Sequence, residues 1–303
     1  MQVVITQVFL LIAFAAAGYA LTKAKILNSG HSKILSALCL YLFLPSKVFT
    51  TFATNFNPTY LSQRWPLLLA AGIIIIAAAL VALPVSRLLT KDSYKRVVYH
   101  YSMTISNYGY VGYALAGSIF GDGVLQDVMT FAFTVGIYTY TIGYSTLTGG
   151  KLTAKKLINP ITITMVLGGI VGLSGLQLPE AAYDFLGKSA ACMSPVSMIL
   201  AGVVISDYKL RDMLGQWQVY IIAVMRLLVI PIVAGFVLKL LGQDWLILPT
   251  LMVLAMPCGM NTIVFPKLIG QDCKPGAALA FITTLLCVVT IPICLMVFQI
   301  SIG

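Results

Sequence analysis

The sequence predicts an all-α polytopic membrane protein, with ten transmembrane helices arranged as a 5+5 inverted repeat and with broken, crossing helices at the fourth and ninth positions. Three observations predict it. Apolar runs follow one another with charge held to short stretches between them, basic residues collect in alternate stretches, and two glycine- and proline-interrupted runs occupy matching places in the two halves.

Of the 303 residues, 59% are hydrophobic and 9% are charged, against about 25% charged in a soluble domain. The runs are about 20 residues long, the length that crosses a hydrocarbon core. They fall at about 3–22, 34–53, 66–89, 96–120, 124–147, 158–176, 182–206, 214–241, 246–269 and 276–299. The first reads as a retained helix, because no basic segment precedes it and no small-residue cleavage site follows it. The formal charge of +10 does not indicate nucleic acid, since the basic residues form small clusters between apolar runs. Cys39, Cys192, Cys258, Cys273, Cys287 and Cys294 form no C-x-x-C pair and read as free packing residues.

Alternate loops, beginning after the first span, carry 14 of the 19 basic residues. They include Lys23 and Lys25, then Arg87 and Lys91, then Lys151, Lys155 and Lys156, then Lys209 and Arg211, and finally Lys267 and Lys274. The intervening loops hold Arg64, Lys188 and Lys239. By the positive-inside rule the first set is cytoplasmic. Both termini of a multi-pass protein in the inner (cytoplasmic) membrane then lie outside.

Five spans per half, 1–150 and 151–303, make the halves inverted relative to each other, a plan that recurs in secondary transporters. Leu44-Pro45-Ser46 in the second span is matched by Ser194-Pro195-Val196 in the seventh. The fourth span reads Ser106-Asn107-Tyr108-Gly109-Tyr110-Val111-Gly112-Tyr113, and the ninth Met256-Pro257-Cys258-Gly259-Met260-Asn261-Thr262. Glycine and proline weaken a helix interior. Freed backbone groups survive in a membrane only where protein or a watery cavity meets them, and corresponding broken helices point to a binding site.

The order and spacing of these motifs resemble bacterial members of the auxin efflux carrier family. The resemblance rests on Asn107-x-Gly109-x-x-Gly112, Pro257-x-x-x-Asn261-Thr262, Pro45 and Gly270-x-Asp272, and it covers essentially the whole chain. It implies a fold shared with bile-acid/sodium symporter-like transporters, with a scaffold of spans 1, 2, 6 and 7 and a transport domain of spans 3–5 and 8–10. It further implies small organic anions as substrates, mono- or dicarboxylates such as malate or malonate or auxin-like acids, moved by alternating access, and a homodimer through the scaffold. Where some members carry a proline at each crossover, this chain has Ala114 and Thr262. Unwinding of the fourth helix is therefore expected at Gly109 and Gly112. The third span lacks the carboxylate that some members have, which argues against proton coupling through such a group.

The site residues expected from this reading are Lys47, Asn107, Gly109, Gly112, Pro257, Asn261 and Thr262, with Arg226 and Ser194 at its margin. A lysine inside a span is expensive and by default marks function. Lys47 either meets a substrate carboxylate or snorkels as a structural cation. Arg226 either attracts an anion or caps carbonyls of a broken helix. Asn107 and Asn261 offer uncharged donors and acceptors to a substrate or ion, or bond between helices. Ser106 and Ser197 are weaker candidates on the same logic, and Tyr108, Tyr110 and Tyr113 are candidate cavity walls. Gly168-x-x-x-Gly172 fits close helix packing, at a dimer interface among other places.

An enzyme is not expected, because there is no H-E-x-x-H and no pair of central aspartates. Gly187-Lys188-Ser189 lacks the leading glycine of a phosphate loop, with Ala182 in its place. A channel-like uniporter and a non-transporting membrane sensor stand as alternatives. The expected partners are the lipid bilayer and the anion. No cofactor is expected, and Na+ and H+ stand open as coupling ions.

Overall fold

The computed structural model describes residues 2–55, 58–149, 158 and 160–300. The junction at 150/151 and the loop lysines 151, 155 and 156 lie outside them, as do the side chains of Tyr110 and Ala114. The described residues are nearly all helical, and their only β-pairing is one isolated bridge.

In chain order the helices are α1 (Gln2–Lys23), α2 (29–55), α3 (Pro58–Leu89), α4 (Ser93–Thr104), α5 (108–120), α6 (121–147), α7 (Pro160–Ser174), α8 (Glu180–Ser206), α9 (217–240), α10 (244–254), α11 (Asn261–Leu268) and α12 (Lys274–Val297). Five helical stretches are long and apolar enough to cross a membrane, within α2, α3, α8, α9 and α12. On α3, Leu67, Ala71, Ile75, Ala78 and Ala82 are buried, while Leu69, Ile73, Ile76 and Leu80 are exposed. A helix apolar on both faces needs protein on one side and hydrocarbon on the other. The same holds for α9, where Val233, Phe236, Val237 and Leu240 are exposed. This is a multi-pass membrane protein.

Local sequence sets the helix ends. Asn28 caps α2 by accepting from the amides of Gly30 and His31, and the His31 ring accepts from the Asn28 amide. His31 is thus part of the cap. Asp92 caps α4 by accepting from the Lys95 amide at 2.9 Å. Wide π turns interrupt α2 at Cys39–Phe43 and α9 at Met225–Val229. Pro45 and Pro231 follow them, and a proline ring displaces the carbonyl four residues earlier. The displaced carbonyl of Leu227 accepts from Cys294 Sγ at 3.2 Å.

α1 packs along α8, and α2 along α7. A Cβ on Gly202 would lie 1.9 Å from the Ala15 carbonyl oxygen, so backbone meets backbone there. A Cβ on Gly168 would lie 2.6 Å from the Phe49 carbonyl oxygen, which places this glycine in packing within the chain. In the rest of the molecule α3 packs on α4 and α6, and α9 on α10 and α12. α6 also meets α10, and α12 meets α4.

Polar contacts gather the loops at two ends. At one end Lys23 Nζ donates to the Ser206 carbonyl at 3.2 Å, and the Tyr208 hydroxyl donates to Asp272 at 2.6 Å. At the other, Arg64 pairs with Asp127 at 3.5 Å and lies 5.4 Å from the Trp245 ring centroid, while Tyr60 donates to Asp127. The loops meeting at the first end belong to the lysine-rich set, and those at the second end to the other set.

Candidate functional site at the helix interruptions

The site is built where two helices stop and restart beside each other. α4 ends at Thr104, and Ile105 turns extended at φ −109°, ψ 133°. α10 ends at Leu254, and α11 begins at Asn261. The two gaps run antiparallel, with Ser106 bridged to Cys258. The Asn107 backbone N–H donates to the Pro257 carbonyl at 2.7 Å. Ser106 Oγ donates to the Val253 carbonyl at 2.5 Å, and the Cys258 amide to Thr283 Oγ1 at 2.9 Å. Each gap therefore satisfies backbone groups freed by the other, as a non-helical segment at membrane depth requires.

The first break does not lie at Gly109 and Gly112. It occupies Ile105, Ser106 and Asn107, and both glycines belong to a π turn, Tyr108–Gly112, that follows it. Gly112 has a different task. A Cβ there would lie 2.3 Å from the Met252 carbonyl oxygen, so the glycine lets α5 press against α10.

Arg226 is fully buried on the π turn of α9. Its Nε donates to the Met256 carbonyl at 3.3 Å and its Nη2 to Val253 at 3.2 Å. Its Nη1 donates to the carbonyls of Met103 and Thr104 at 3.1 and 3.2 Å. One guanidinium thus joins the ends of α4 and α10. It lines neither of the cavities described next.

On the other side of the crossing lies a cavity of about 40 Å³, walled by Lys47, Ser106, Asn107, Gly109, Thr139, Tyr140 and Asn261 among others. A second, of about 30 Å³, shares Lys47, Tyr108, Gly109 and Tyr140 with it. Each holds about two to four waters, so a dicarboxylate enters only when the walls part. No acidic side chain lines either one. Lys47, on α2, reaches in with its ammonium 5.6 Å from the Tyr113 ring centroid. Among the described residues that ammonium makes no hydrogen bond or ion pair. Asn107 is 4% exposed, and among the described residues its side-chain amide has no hydrogen-bond partner. Asn261 Nδ2 donates to the buried Tyr101 hydroxyl at 2.9 Å, which orients its amide at the cavity wall.

Lys47, Asn107, Gly109 and Asn261 are thus brought together, with Ser106. Pro257 stands behind them as the acceptor for the Asn107 backbone N–H. Thr262 is fully buried and its hydroxyl donates to the Gly259 carbonyl at 3.0 Å. Ser194 lies on α8 outside the cavity, where its carbonyl accepts from Ser197. Thr139 and Tyr140 escaped the sequence reading. Their signal was the polar run Thr139-Tyr140-Thr141 inside an apolar span, and the structure sets it on another π turn, Thr139–Gly143. Such wide turns recur at functional sites.

A larger groove of about 470 Å³ lies between α3 and α9, lined by Trp65, Ile73, Val81, Val233 and Val237 among others. It has no charged wall and opens among the outward-facing aliphatic residues, so it does not compete with the small polar cavities as an anion site.

A family model described as "Membrane transport protein" matches residues 3–151 and 145–295. The chain is also 27% identical over 292 residues to the uncharacterized transporter MJ1031 of Methanocaldococcus jannaschii, across 91% of this chain and 93% of that one.

Proposed function

The chain belongs to the membrane transport protein family, that of the auxin efflux carriers, and from that premise we propose that it is a secondary transporter for a small organic anion. The substrate class is a mono- or dicarboxylate or an auxin-like acid, moved across the cytoplasmic membrane by alternating access. The observation that carries this reading is the cavity at the crossing, which Lys47 and Asn107 both line: among the described residues the lysine ammonium has no hydrogen bond, the Asn107 side-chain amide has no partner and no carboxylate lines the wall. In a low-dielectric setting such a site favours negative charge strongly. A carboxylate would accept from Lys47 and from the Asn107 amide, and the Asn261 amide would face the same space.

The packing supports a 5+5 inverted repeat. Counted as spans, α1 on α8 is the first on the seventh, and α2 on α7 is the second on the sixth. Exchanging the halves turns one pair into the other. The pairs α3 with α6 and α9 with α12 are related in the same way, as are α6 with α10 and α12 with α4. In this reading α1, α2, α7 and α8 form the scaffold, which also joins two copies as a homodimer, and the remaining helices form the transport domain. Lys47 then stands on the scaffold and the two asparagines on the transport domain, so sliding one against the other opens the site. The lysine-rich end is cytoplasmic, with both termini outside. The small size of the two polar cavities at the crossing favours a carrier over a channel-like uniporter.

Uptake of radiolabelled malate, malonate and indole acetate into proteoliposomes tests the reading, alongside melting of the purified protein in the same acids. We expect at least one acid to be taken up and to raise the melting temperature, as binding to the folded state requires. No uptake and no stabilisation by any of them would overturn it.

A further inference from the structure

In transporters built on broken helices, unwound carbonyls and half-helix C-terminal ends are the groups that coordinate a coupling cation. In this chain four such carbonyls at the crossing are already taken. Met103 and Thr104 end α4, Val253 lies in the last turn of α10, and Met256 lies in the gap beyond it, and all four carbonyls accept from Arg226. Each helix end carries about half a negative charge, so the two together match the single positive charge of the guanidinium. Arginine stays protonated in proteins, and Arg226 is 0% exposed. Its charge is therefore permanent and cannot leave with the substrate.

We propose that Arg226 is a built-in counter-charge of the crossing, standing where a coupling cation would otherwise sit, so that this chain works without sodium. The planar fork suits the task. Its five donors in a wide, fixed fork span two chain segments and serve four carbonyls, where an ammonium offers three donors. The consequence falls on the other side of the crossing. With the negative helix ends neutralised behind it, the cavity at Lys47 and Asn107 sees little charge that would repel an anion. The transport consequence rests on the anion-carrier reading above, whereas the claim about the carbonyls does not.

The test uses the full-length purified protein, melted in matched sodium chloride and N-methylglucamine chloride without any organic anion. Sodium present at about 100 times its Kd would raise the melting temperature by about 5 °C. We expect the wild type to melt within about 1 °C in the two salts, well inside that margin. Arg226→Ala should melt about 10 °C lower and should recover part of that loss in dilute guanidinium chloride, which refills the vacated space. A sodium-specific rise in the wild type would overturn the proposal. So would an Arg226→Ala protein that melts like wild type, or one that guanidinium does not restore. If the alanine variant fails to fold, the wild-type comparison still decides, and Arg226→Lys gives the second variant, expected to melt between the two. Malate uptake into proteoliposomes adds the transport arm, with rates expected to agree within about twofold in the two salts, since no sodium binding contributes. A sodium requirement there overturns the proposal. Absence of uptake in both salts counts against the anion-carrier reading alone, since the melting comparison stands without it.

Discussion

Two cations sit inside the membrane region, on opposite sides of one crossing, and their surroundings differ completely. Arg226 has no exposed surface and donates to four main-chain carbonyls. Lys47 is half-buried, lies over the Tyr113 ring and borders both small cavities, and among the described residues its ammonium has no hydrogen bond. A buried charge with four of its five donors met by main-chain carbonyls belongs to the framework. A charge left with free donors in a cavity without carboxylates has capacity for a ligand of opposite sign. Intramembrane position alone therefore does not assign function, whereas the partners of each donor do.

The comparison breaks most visibly at Arg226. Arg226→Lys keeps the charge but offers three donors to four carbonyls, and a buried carbonyl left without a donor costs about 1–3 kcal/mol. We expect melting to fall by about 5 °C and uptake to fall with it. A lysine variant that melts like wild type would show that charge, not the fork, holds the crossing.

Lys47→Ala should do the reverse. A charge-assisted hydrogen bond contributes about 1.5–3 kcal/mol, so affinity for the anion should fall about 10- to 100-fold, with melting in the absence of anion little changed. Kinetics of uptake and unliganded melting curves, measured together, check both halves. Unaltered uptake would place Lys47 in the framework with Arg226. Asn107→Ala removes a neutral amide facing the same cavity, and we expect a smaller loss of affinity, about tenfold, with the wild-type fold retained. Melting of the variant against rising malate measures it.

These differences bear on what the sequence could disclose. Hydropathy locates most helix ends to within a few residues, because the bilayer fixes their length, but the third helix begins at Pro58, eight residues before the expected 66, and takes Arg64 out of its loop. The interrupted segments were also visible, through Gly109, Gly112 and Pro257. The position of the first interruption was not. Ile105-Ser106-Asn107 contains no glycine or proline, and its extended form is held by Cys258, Pro257 and Val253, about 150 residues away. Arg226 could not be assigned for a similar reason, since its acceptors are carbonyls between 27 and 123 residues distant and carry no side-chain signature. Thr139 and Tyr140 carry no distinct signal, since a polar pair inside an apolar span also fits ordinary interhelical bonding.

The finest distinction is whether the Asn261 amide must be held in one orientation. Tyr101 is buried and offers its hydroxyl oxygen to Asn261 Nδ2 at 2.9 Å. Asn261 has a second N–H and a carbonyl oxygen, and the cavity lies beside them. With Tyr101 holding one N–H, the amide presents a fixed pattern to the ligand, whereas a free amide would rotate between donor-facing and acceptor-facing states. Tyr101→Phe removes only the hydroxyl and leaves the ring packing in place. A neutral hydrogen bond contributes about 0.5–1.5 kcal/mol, so the expected loss of anion affinity is about threefold, with maximal uptake rate unchanged. The double variant with Asn261→Ala decides the cause. If Tyr101 acts only through Asn261, adding Tyr101→Phe to Asn261→Ala should change affinity no further; a full further threefold loss would mean that the Tyr101 hydroxyl acts on the anion or the fold by another route.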